Sequence, residues 1–94
     1  LDDGAAVEPG NPVVIANQGT VRSDGGRPGE AVPFFERALA LDPDLHQARF
    51  GLAIALARSG QREGAARVAS ELLQRLPPAA PQRAEVARLL GALR

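Results

Sequence analysis

Apolar residues recur along this chain at helical spacing, in blocks separated by proline and glycine. The clearest block is Gly29 to Pro43, GEAVPFFERALALDP, an amphipathic helix closed by a proline. Pro9, Pro43 and Pro77 recur every 34 residues, and so do the small residues Gly19, Ala53 and Ala87. Gly26 pairs with Gly60 at the same step, Ala31 with Ala65, and Leu39 with Leu73. Breakers and small residues repeating at that distance signal stacked helix-turn-helix units. The pattern predicts five helices and no strand.

Asn11-Pro12 reads as a helix start, because Asn caps and Pro at the first helical position loses no needed donor. The first helix then covers Val13 to about Asp24 and stops at Gly25-Gly26. Pro28 opens a second, to about Leu41. Pro33 falls in its early turns, where a local kink, a late start and a tolerated early proline are all open. Asp44, with Gln47 three residues on, resembles a capping box for a third helix, about Leu45 to Ser59. That helix is apolar almost all round, so it is either sandwiched or carries a sticky face. Gly60 should end it in the left-handed conformation. A fourth helix covers residues 62 to 75, with Ala65, Ala66, Val68, Ala69, Leu72 and Leu73 inward. A fifth opens at Pro81 and runs to about Leu93, with a stripe of Val86, Ala87, Leu89, Leu90 and Leu93. Residues 1–8 are expected to be extended or poorly ordered, since so short a helix is marginal alone.

In Ala31, Phe35, Ala38 and Pro43, and again in Leu52-Ala53, Leu56, Gly60, Ala65 and Pro77, the chain resembles the tetratricopeptide repeat family. Departures are Gln18 where leucine is usual, Arg49 where an aromatic is, and Ala69 and Leu72 for an aromatic and an alanine. The resemblance, over roughly residues 5 to 93, implies an all-α, right-handed helical solenoid. It divides as the tail of a preceding repeat (1–11), two helix-turn-helix repeats (12–44 and 45–78) and a C-terminal capping helix (79–94). It also implies a non-catalytic protein-interaction module that receives a peptide or helix in a groove lined by the first helix of each unit. Carried over by position, that groove comprises Val13, Ala16, Asn17 and Thr20, then Gln47, Phe50, Ile54, Ala57 and Arg58, then Glu85 and Arg88. The bland alternative is that Phe50 and Ile54 only pack between helices. Where family members clamp a terminal carboxylate this chain has Ala16, Thr20, Gly51, Pro81 and Glu85, so an apolar or amphipathic segment is the better ligand.

Composition narrows the function classes. The 94 residues carry no net charge and only three aromatics, Phe34, Phe35 and Phe50, which leaves neither the basic footprint nor the stacking platforms that nucleic acids require. Every cation is an arginine, and their scatter reads as base composition rather than a binding device. Without cysteine there is no disulfide, thiol nucleophile or zinc cluster. No stretch is long and apolar enough for membrane insertion. His46, the single histidine, reads as a solvated helix-start residue without a second ligand at metal spacing. Ser23, Ser59, Ser70 and Thr20 have no neighbouring base, and the Gly25–Gly29 stretch lacks a preceding strand and a phosphate-binding lysine. No enzyme activity, cofactor or metal is expected.

Three rivals stay open: a spacer or regulatory repeat domain of a larger enzyme, self-assembly through the N-terminal end or the groove, and a periplasmic chaperone module. The last rests on Leu72–Leu93, with its Leu-Pro-Pro, later Pro and Arg-Ala-Glu-Val, which resembles C-terminal repeats of bacterial proteins that escort apocytochrome c. The setting is read as bacterial, cytoplasmic or periplasmic.

Overall fold

The computed structural model describes residues 10–93, so the expectation for residues 1–8 lies outside the described residues. Five helices follow one another: α1 (Pro12–Asp24), α2 (Pro28–Leu41), α3 (His46–Arg58), α4 (Arg62–Arg75) and α5 (Gln82–Leu93). No strand occurs among the described residues. Neighbours in sequence pack against each other, α1 on α2, α2 on α3, α3 on α4 and α4 on α5. This is the nearest-neighbour stacking of a helical solenoid.

Local chemistry sets the helix ends. Asn11 caps α1, its Oδ1 accepting from the N–H groups of Val13 and Val14 at 3.0 and 3.3 Å. The turns that end α1 and α3 are copies of one another. Gly26 and Gly60 both have φ of 88°. In the first turn Arg27 donates to Arg22 O at 2.9 Å and Gly26 to Ser23 O at 3.3 Å; in the second Gln61 donates to Leu56 O at 2.8 Å and Gly60 to Ala57 O at 3.2 Å. Each turn thus satisfies two helix-end carbonyls around a left-handed residue, the Schellman arrangement. α2 starts at Pro28 and continues through Pro33, so the late start is ruled out and the proline is carried inside the helix.

The capping box at Asp44 and Gln47 does not form. α3 begins one residue later than the box requires, with Leu45 at the N-cap and no side-chain cap bond. Asp44 sits instead in a turn where its N–H donates to Asp42 Oδ1 at 3.1 Å, and its carboxylate lies 3.4 Å from Arg75. The stripe of α5 is narrower than its sequence suggests. Val86 is buried and Leu89, Leu90 and Leu93 are half-buried, while Ala87, about 100° round the helix from Val86, faces outward.

α3 is the central element. Ala48, Leu52, Ala55 and Leu56 join Ile15, Ala16, Ala31, Phe35, Ala38 and Ala65 in one core cluster. Its Ala53 belongs to a second cluster with Ala69, Leu72, Leu76 and Val86. Small residues bring the helices close. A Cβ on Gly51 would lie 2.6 Å from Phe35 Cζ, and one on Gly19 would lie 3.0 Å from the same atom. Phe35 is therefore gripped between two glycines of α1 and α3 and is only 1% exposed.

Where the repeat pattern has an aromatic, the chain uses arginine in two successive units. Arg49 is buried; its guanidinium donates to Pro43 O and lies 3.8 Å from Glu71. Arg83, 34 residues on, donates to Leu73 O at 2.7 Å and Leu76 O at 3.2 Å. Both guanidiniums hold carbonyls that follow or end the preceding helix, where a cation is favoured and orphan acceptors need partners. The arginines fill the aromatic's place with hydrogen bonds and an aliphatic stem.

Candidate functional site: a groove centred on Phe50

α1, α3 and α5 present neighbouring faces along one side of the stack, and two hollows open there. The first, about 300 Å³, lies between α1 and α3 and is walled by Thr20, Ser23 and Asp24 on one side and Phe50, Ile54 and Arg58 on the other, with Phe35 reaching in from α2. The second, about 210 Å³, lies between α3 and α5. His46, Gln47 and Phe50 form one wall, Gln82, Glu85 and Val86 the other, and Leu72 of α4 and Leu76, just past its end, complete it. Gln47 and Phe50 belong to both hollows and form the ridge between them.

The site exists because α3 carries more apolar surface than its neighbours cover. Residues facing α2 and α4 are buried, whereas Phe50 and Ile54 stay half-buried. Two polar ties hold α3 to α1 across the first hollow. Gln47 donates through Nε2 to Asn17 Oδ1 at 2.7 Å. Arg58 donates to Ser23 O, Ser23 Oγ and Asp24 Oδ1 at 3.2, 3.1 and 3.2 Å. Arg58 thus sits at the carbonyl end of α1, where the helix dipole favours a cation, and Asp24 offsets much of its charge locally.

Of the residues carried over by position, Thr20, Gln47, Phe50, Ile54, Arg58 and Glu85 come together along the two hollows. Asn17 joins them at the rim through Gln47. Ala16 is fully buried and offers no surface to a ligand. Ala57 packs against the first core cluster. Val13 and Arg88 are exposed but line neither hollow. His46 is not the solvated residue its position suggests. It is half-buried and lines the second hollow with residues of α4 and α5, and its Nδ1 is buried with no hydrogen-bond partner among the described residues. Leu72, Leu76, Gln82 and Val86 also belong to that wall. Val86 and Leu72 were visible in the sequence only as core positions of their own helices.

Among the described residues there is no group of three or more His, Asp or Glu placed to hold a metal ion, and no helix is long and apolar enough to cross a membrane. The family model described as tetratricopeptide repeat matches residues 24–93. No curated protein matches the chain. That match spans most of the sequence, from the end of α1 through α5: the chain belongs to the tetratricopeptide repeat family.

Proposed function

We propose that this chain is a non-catalytic interaction module whose groove across α1, α3 and α5 binds an apolar or amphipathic helical segment of a partner protein. Repeats of this family generally mediate protein–protein interaction, and the finer reading rests on one observation. Phe50 is a half-buried aromatic standing on the ridge between two hollows, both of which present mainly apolar surface between polar rim residues. A helix laid along such a groove buries large side chains on either side of the ridge, the helix-in-groove mode of recognition. The charges at the rim are few and of both signs, so long-range steering is weak and the complex should depend little on salt.

Burying a Phe side chain contributes roughly 1.5–3 kcal/mol. Phe50→Ala should therefore weaken the complex by about tenfold or more, at about 1.4 kcal/mol per decade. The test is titration of fluorescent 18-residue amphipathic helical peptides, with circular dichroism on every variant. Because Phe50 also packs against the second core cluster, Ile54→Ala is measured beside it. Folded variants of both residues that bind the peptides as tightly as the parent chain would overturn the groove reading.

A further inference from the structure

The internal repeat supplies a control for the second hollow. Moving back 34 residues from its walls, Phe50 corresponds to Ala16, Leu72 to Ala38 and Val86 to Leu52. In that earlier interval Ala16 and Ala38 are fully buried and Leu52 is buried against them in one cluster. At that level α1 packs directly on α3, the hollow between these two helices lying further along at Thr20 and Ile54, and α3 has less contact with α5 than with α1. Two differences hold α5 off. A phenylalanine stands where the first unit has alanine, and the connection before α5, residues 76–81, is two residues longer than residues 42–45 before α3. The hollow is thus a departure of this chain from its own repeat, made by specific residues.

Its size and charge specify an occupant. At about 210 Å³ it falls below the roughly 300–1,000 Å³ of small-molecule sites, and suits one large apolar side chain. Phe50, Leu72, Leu76 and Val86 supply apolar walls, and Glu85 is the charged residue among them, with no cation. The described residues give Glu85 no ion pair, whereas the first hollow has Arg58 with Asp24 already paired. Resting on the groove reading above, we propose that this hollow is the anchor pocket for the partner helix. It takes one Leu, Met or Phe side chain that is followed, a turn away, by a Lys or Arg reaching Glu85. The charge selects the register of the helix, and the apolar pocket supplies the attraction.

Phenethylammonium, an aromatic ring with a cation two carbons away, is a minimal probe, and 3-phenylpropionate is its anionic counterpart. In amide-detected NMR titrations the cation should shift residues around Phe50, Leu76 and Val86, and bind about fivefold more tightly than the anion. Glu85→Lys should invert that order. Gln82→Trp, which fills the mouth from an exposed position on α5, should abolish both. Shifts centred instead on Thr20 and Ile54, no binding of either probe, or a charge preference unchanged by Glu85→Lys would overturn the assignment. Helical peptides separate the two readings. If they bind Gln82→Trp as tightly as the parent chain yet lose affinity with Phe50→Ala, the groove stands and the anchor pocket falls. If Phe50→Ala has no effect either, both fall.

Discussion

Close contacts at single residues set how tightly this stack can close. Gly51 lies inside α3, where alanine would ordinarily be the better helix former by about 1 kcal/mol. A Cβ there would come within 2.6 Å of Phe35 Cζ, and Gly19 of α1 already crowds the same ring, its Cβ position 3.0 Å from that atom. Such overpacking costs about 1–3 kcal/mol. Gly91 is the control: it lies inside α5, is exposed, and a Cβ would meet nothing within 4 Å. Gly51→Ala should therefore lower the melting temperature while Gly91→Ala raises it, the latter gaining about 0.5–1 kcal/mol. A thermal melt in which Gly51→Ala is as stable as Gly91→Ala would contradict the grip on Phe35. Residue-scale roles were the least legible in the sequence. Arg49 stood out only as a misfit in the repeat pattern, because nothing in one dimension tells which carbonyl a guanidinium will reach. His46 was misread for a related reason: the hollow it lines is completed by residues of α4 and α5, distant in sequence.

Element boundaries were legible because proline and glycine break helices through local backbone chemistry, whatever packs around them. α2 and α4 follow the residues expected, and α1, α3 and α5 differ by about a residue at their ends. The capping box failed because one residue of slippage at Leu45 removes its geometry. The two Schellman turns make a quantitative test at this scale. Gly26 and Gly60 share φ of 88°, and a Cβ would meet nothing within 4 Å at either. The cost of Gly→Ala is then purely that of placing an L-residue in the left-handed region, about 1–2 kcal/mol. Gly26→Ala and Gly60→Ala should thus destabilise by similar amounts in urea unfolding, with unchanged m-values. A difference between them beyond about 1 kcal/mol would mean that tertiary context governs these turns.

At the scale of the whole molecule the stack has a strong middle and a weaker end. α2, α3 and the start of α4 share the larger core cluster, which α1 enters through Ile15 and Ala16. α5 buries only Val86 fully, and its other apolar contacts are half-exposed. The groove's middle was readable through the family resemblance, which carries Phe50 and Ile54 over by position in α3. The second hollow was not, because it depends on the spacing of α3 and α5, set by a connection two residues longer than its counterpart. In a stacked solenoid stability is close to a sum of local and nearest-neighbour contributions, so an end helix with few buried contacts opens before the rest. Native-state hydrogen exchange should therefore rank the helices, with amides in the middle of α3 the most protected and those of α5 the least, below α1. The same opening would dismantle one wall of the hollow beside Phe50, so a peptide seated there should slow exchange in α5 more than in α1. Equal protection of α5 and α3 in the free chain would instead identify one cooperative unit, and the end helix would then be as firmly held as the core.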